Sequence, residues 1–201
     1  MRSEKAREIH RYWNSLRRGG AAPLRADFQP MAIRQRLPDL FMLDLADADF
    51  RFRLAGTRIC DMFGTELRGS NFLSLWQAES RDRALEAALS ALRTEDAEFI
   101  SLRVPAASGW QDCDMLLLPI RSSGHLADRL LGGLFAQTGV SLDRPVPRGS
   151  LELESWRPAH WSPAATRTAV PPIRTVPSHQ QFDIRLVLQR LFDTARSARR
   201  R

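Results

Sequence analysis

Ile9, Tyr12, Trp13 and Leu16 recur at i, i+3, i+4 and i+7, the spacing of one apolar face of a helix. Ser3 stands where an N-cap belongs, and Gly19-Gly20 supplies a stop. This predicts an N-terminal amphipathic helix within residues 1–22. Its aromatic stripe has to be buried, on a sheet of the same chain or on a partner's copy of the helix. Ile9, Tyr12, Trp13 and Leu16 are therefore candidate self-association residues of a homodimer, with the intramolecular cover left open beside it. Residues 21–38 follow, irregular and punctuated by Pro23, Pro30 and Pro38.

From Phe41 the period changes to two. Phe41, Leu43 and Leu45 alternate with Met42 and Asp44, and after a turn at 46–49 Phe50, Phe52 and Leu54 alternate with Arg51 and Arg53. Two short antiparallel strands result, each with one face toward a core. Gly56, Gly64 and Gly69 then break the pattern into short helical turns, and Leu85, Ala88, Leu89 and Leu92 mark a longer helix over 79–93. Strand signals return at 100–104, 110–120 and 130–137, where Gly132-Gly133 points to a bulge or a close backbone approach. Short connections favour an α+β domain over residues 23–139, a five-stranded antiparallel sheet with the intervening helices on one face.

Beyond Val140 the periodicity is lost. Seven prolines between Pro145 and Pro177 predict a disordered, Pro-rich linker over 140–179. Ile184, Val187, Leu188, Leu191 and Phe192 then predict a terminal amphipathic helix within 180–201, ending in Arg199–Arg201. Trp156 and Trp161 lie in the linker, and aromatics in such tracts are frequent anchors for a partner protein, with folding back onto the chain's own domain left open beside it.

Charge follows the same division. Residues 1–140 carry 19 Arg/Lys and 18 Asp/Glu, whereas 141–201 carry 11 Arg and 5 Asp/Glu. The surplus belongs to the tail, so a nucleic-acid-binding regulator working through those arginines is the alternative function. The balanced domain and the lack of a reader motif argue against it. Nearly all the cations are arginine, a bias that genome composition can produce as readily as phosphate recognition. Nothing resembles a signal peptide, and the longest aliphatic run, 115–118, is too short to span a bilayer. Cys60 and Cys113 read as reduced thiols, and the cytoplasm as the compartment.

The order of elements and several blocks resemble the PAS domain superfamily, in particular small bacterial PAS-like regulatory proteins of formerly unassigned function. Tyr12-Trp13, Leu16-Arg17, Pro23-Leu24-Arg25, Phe28-Gln29-Pro30 and Leu37 to Phe41 carry the first part of the likeness. Phe52 to Thr57 and Phe63 to Gly69 carry the second, so that it spans about residues 8–137. Gln29 stands where the family more often has aspartate. The resemblance implies a regulatory or signalling role without catalysis.

Each candidate chemistry competes with a plain packing role. Gly56 and Thr57 read as a permissive turn and its cap, and the glycines fit neither the Rossmann nor the P-loop spacing. The helix over 79–93 has no histidine, unlike relatives that hold haem there, and Gly69-Ser70-Asn71 runs into Phe72 without the cysteine of photoactive flavin relatives. Haem and flavin are therefore not expected and no cofactor is assigned, with an unidentified small ligand left open. Cys60 reads as a small core residue, Cys113 as unreactive between Asp112 and Asp114, and Asp112, Asp114 and Asp128 as solvent-facing. Trp76 and Trp110 read as packing residues. His10, His125, His160 and His179 have no metal-ligand spacing, and no catalytic residue is assigned. The expected function is a sensory or regulatory module that binds a small ligand or a partner protein and signals through its terminal helices.

Overall fold

The alternating middle of the chain forms one antiparallel sheet in a computed structural model that describes residues 3–46, 49–107, 109–124, 126–136 and 145–159. Strands β1 (Leu40–Ala46), β2 (Asp49–Ala55), β3 (Glu98–Ala106), β4 (Gly109–Ile120), β5 (Arg129–Ala136) and β6 (Glu152–Pro158) take the order β2-β1-β5-β4-β3-β6. Helix α1 (Glu4–Leu16) precedes the sheet, and α2 (Thr57–Phe63) and α3 (Ala78–Thr94) lie between β2 and β3.

The α+β reading holds, with six strands where the sequence suggested five. The sixth lies inside the tract assigned to a Pro-rich linker. Val146, Leu151 and Leu153 are buried in the main core, and β6 pairs along the edge of β3 from Glu98↔Pro158 to Arg103↔Glu152. An edge strand tolerates flanking prolines because its outer N–H groups need no partner. The remainder of the linker after residue 159, Trp161 and the helix expected over 180–201 lie outside the described residues.

Strand alternation splits the core into two layers. Phe41, Leu43, Cys113, Met115, Leu117, Leu130 and Leu134 face α2 and α3, joined by Ala84, Ala87, Ala88 and Ala91 of α3. Leu40, Met42, Leu116, Leu118, Ile120, Leu131 and Phe135 face α1, where Ala6, Ile9 and Trp13 cover them. The intervening helices thus occupy one face, and the N-terminal helix the other.

Two local expectations are corrected. Phe50 and Phe52 are buried, but Leu54 is 46% exposed. The β1–β2 register shifts between Met42↔Leu54 and Leu43↔Phe52, leaving Arg53 as an extra residue. Such a bulge turns the rest of the strand onto the other face. Gly56 has an ordinary φ of −71° and is itself the N-cap of α2, so Thr57 is the first helical residue. Glycine is required there by contact, since a Cβ would lie 2.3 Å from the Leu37 carbonyl oxygen. Gly132 has the same reason: the sheet is unbulged there, and a Cβ would stand 2.0 Å from the Phe41 ring.

Candidate functional site

Between the sheet and α2–α3, four aromatic side chains meet. Phe41 of β1 and Phe52 of β2 touch edge to face at 5.4 Å, and Phe72 lies 6.3 and 6.1 Å from them. Trp76 closes the group edge-on to Phe72 at 5.7 Å. All four are buried. Phe72 is placed by a short 3-10 turn, Phe72–Leu75, whose N-cap Asn71 accepts from Leu73 N at 2.7 Å. The Trp76 Nε1–H has no hydrogen-bond partner among the described residues. A buried indole donor usually finds an acceptor, so this is the atom of the compartment that a bound acceptor would satisfy.

The thiols on this side are protonated at neutral pH. Burial pushes the Cys113 thiol up to about 12, and the charges of Asp114 and Asp112 add to it. Burial also raises the half-buried Cys60 thiol. The one histidine among the described residues, His10, lies on α1 at the opposite face; burial, then Arg17, lowers its pKa.

On that opposite face α1 is fixed to β4 at both ends. The Ser3 backbone N–H donates to Asp114 Oδ2 at 2.7 Å, and the Ser3 side chain caps the helix by accepting from Ala6 N at 3.4 Å. Near the other end Trp13 Nε1 donates to the Pro119 carbonyl at 2.9 Å, under the Arg17 guanidinium at 4.7 Å. Arg17 pairs with Asp96 at 2.7 Å, and Glu8 with Arg36 at 2.8 Å. Tyr12 meets Phe28 edge-on and accepts from Gln29 N at 2.8 Å through its hydroxyl.

These contacts place the candidate self-association residues in the chain. Ile9 and Trp13, 1% and 0% exposed, spend their apolar surface on this chain's own sheet. Tyr12 and Leu16 are half-buried. The sheet face that receives the stripe is supplied by Leu116, Leu118 and Ile120 of the same chain, so the intramolecular cover left open by the sequence is the arrangement of Ile9 and Trp13. Trp156, the candidate partner anchor, is half-buried in β6 against the main core. Trp76 is core, while Trp110 is 49% exposed beneath the Arg103 guanidinium at 5.2 Å. Asp114 is fully buried rather than solvent-facing. Alternation along β4 concealed it, because its outward neighbour Asp112 carries the same charge.

A third feature escaped the sequence. At the outer edge of β2, Arg25, Arg53 and Arg68 line a groove of about 500 Å³ with Phe52, Leu54 and Gly69. Three distant segments meet there, and only the Arg51/Arg53 alternation hinted at a basic edge.

Among the described residues no group of three His, Cys, Asp or Glu is placed to hold a metal, and no helix is long and apolar enough to cross a membrane. The arginines of the nucleic-acid alternative lie mostly beyond residue 159, outside the described residues.

A family profile described as PAS domain matches residues 1–135. A light-oxygen-voltage domain studied with a flavin analogue is similar at 17% identity and a TM-score of 0.43, over 56% of this chain and 84% of that one. The Rhodobacter sphaeroides LOV protein is 20% identical over 69% of each chain, with a TM-score of 0.41. VqmA bound to DPO is 13% identical over 54% of this chain and 56% of that one, with a TM-score of 0.39. No curated protein matches.

Proposed function

The chain belongs to the PAS domain family, and from that membership we propose that it is a non-catalytic sensory or regulatory module. It takes a small ligand or a partner protein and passes the change to α1. The observation that supports this reading is the alternation of β4. Cys113, Met115 and Leu117 line the aromatic compartment, while Asp114, Leu116, Leu118 and the Pro119 carbonyl hold α1. Successive side chains of one strand point to opposite faces, so a shift of β4 driven from the compartment moves the anchors of the helix. A ligand that prefers one position of β4 then shifts the α1 population by its differential affinity.

Native mass spectrometry and absorption spectra of freshly purified full-length chain test occupancy, including flavin. Hydrogen exchange then compares loaded protein with protein stripped by unfolding and refolding. The expected result is a bound mass, or a stoichiometric co-purifying protein, together with altered exchange over residues 4–16. Equal exchange of α1 in the two forms refutes the relay. Absence of both a bound mass and a partner refutes the binding role.

A further inference from the structure

We propose that the groove at the outer edge of β2 binds a small phosphate ester, the phosphate held by Arg25, Arg53 and Arg68. The groove shares Phe52 with the aromatic compartment, but its three arginines belong neither to that compartment nor to α1, and the site goes beyond the sensory role proposed above. At about 500 Å³ the groove has the size of small-molecule pockets.

Each arginine comes from a segment whose backbone is fixed. Arg25 N donates to the Arg121 carbonyl at 2.8 Å while Arg121 N donates back to Pro23 at 3.0 Å, tying the Arg25 turn to the end of β4. Arg53 is the bulge residue of β2, and bulges re-aim side chains at functional edges. Arg68 sits on a turn closed by Glu66, whose Oε1 accepts from the backbone N–H groups of Leu67 and Arg68, each at 3.0 Å. That turn is stitched to β2 by Gly69 N to Phe52 O at 2.7 Å and Phe52 N to Ser70 O at 3.0 Å. Arg51 adds a bond from its guanidinium to the Gly69 carbonyl at 3.3 Å.

The charge of the groove is unbalanced. Arg53 pairs with Asp44 at 3.1 Å, but Asp44 also serves Arg129 at 2.9 Å. Arg25 and Arg68 form no ion pair with any described residue, and both are exposed. One shared carboxylate against three lining guanidiniums leaves a surplus that a dianion answers better than a monocarboxylate. Guanidinium forks match phosphate oxygens in pairs. The Leu54 side chain, 46% exposed by the same bulge, offers an apolar wall to the organic part of the ester.

The same chemistry is offered by a free ester and by a lipid headgroup, and the test separates them. Glycerol 3-phosphate is titrated into the full chain at about 150 mM salt, where long-range attraction to the arginine-rich tail is screened, and amide shifts are followed at Gly69. Saturable binding is expected, weakened about tenfold or more in Arg25→Gln and in Arg68→Gln. Arg68→Lys, which keeps charge without the fork, should fall between. Arg93→Gln, on an exposed arginine of α3 without an ion pair among the described residues, should bind as wild type, and acetate should not saturate. Sedimentation with phosphatidic acid vesicles, lost in the same two variants, would assign the phosphate to a lipid headgroup. Both variants change exposed side chains, and their amide spectra report the fold. The proposal is overturned if neither probe binds, if Arg25→Gln and Arg68→Gln bind as wild type, or if Arg93→Gln loses as much affinity as they do.

Discussion

The Trp13 indole N–H donates to the Pro119 carbonyl at 2.9 Å, joining α1 to β4 across 106 residues of sequence. The ring is fully buried, so the bond sits inside the second core layer and not on the surface. A buried indole with its donor satisfied fixes both the depth and the rotation of the helix.

Trp13→Ala should therefore destabilise the domain by about 3–5 kcal/mol, the range for emptying a large aromatic site. Trp13→Phe should cost less, since most of the apolar contact stays and one hydrogen bond of about 1 kcal/mol is lost. Urea unfolding of the two variants measures the difference. Trp13→Glu, which a helix-mediated dimer would answer by dissociating, should instead unfold the domain. A well-folded, monomeric Trp13→Glu protein would show that the sheet does not need this cover.

Gly132 should be intolerant of even one methyl group, because the Phe41 ring stands where its Cβ would go. Overpacking of this kind costs about 1–3 kcal/mol. Gly132→Ala should lower the unfolding midpoint, and Phe41→Leu should recover part of the loss in the double variant. Simple additivity of the two changes would mean that the ring and the glycine are not coupled.

The architecture was largely legible where a local rule decides the outcome. Period-two alternation located β1 to β3, turn-bounded apolar runs located β4 and β5, and the Ile9–Leu16 stripe located α1. What stayed hidden depends on contacts between distant segments. Phe52 and Leu54 follow the same alternation, yet a bulge sends them to opposite environments. Asp112 and Asp114 look alike, and only the position of Ser3 separates the buried acceptor from its half-buried neighbour. β6 was masked by composition, since prolines around it signal a linker while Leu151 and Leu153 supply two core positions. Arg25, Arg53 and Arg68 share a groove only once the turn at Gly69 is laid against β2.

Leu151 and Leu153 give a direct test of β6. In a disordered linker their truncation would be silent. As core residues, 0% and 3% exposed, each should lose about 2–5 kcal/mol on change to alanine. Thermal or urea unfolding of the full chain distinguishes the two cases.

Cys113 makes stability depend on alkaline pH. Its thiol is raised from 9.0 to about 12 in the folded chain, so between those values the unfolded chain has released the proton and the folded chain has kept it. Fewer protons bound in the unfolded state means that stability falls as pH rises. The contribution is complete below pH 9 and declines toward pH 12, by at most about 1.4 kcal/mol per unit. Cys113→Ala should flatten that limb relative to wild type. An identical slope in both proteins would show that the thiol ionises as easily folded as unfolded.

Asp114 decides whether α1 can respond separately from the sheet. Its Oδ2 accepts from the Ser3 N–H at 2.7 Å, at the helix end where a negative charge is favoured. Asp114→Asn keeps the shape and removes the charge, and a bond to a charged acceptor contributes about 1.5–3 kcal/mol. Loss of that anchor should speed hydrogen exchange first in the opening turns of α1, while the β4–β5 ladder from Cys113↔Ala136 to Ile120↔Arg129 keeps more of its protection. Local opening of this kind is the property that a signalling helix requires. If α1 and the β4–β5 amides lose protection together, the helix is bound into the global fold, and the route from compartment to α1 has no independent element to move.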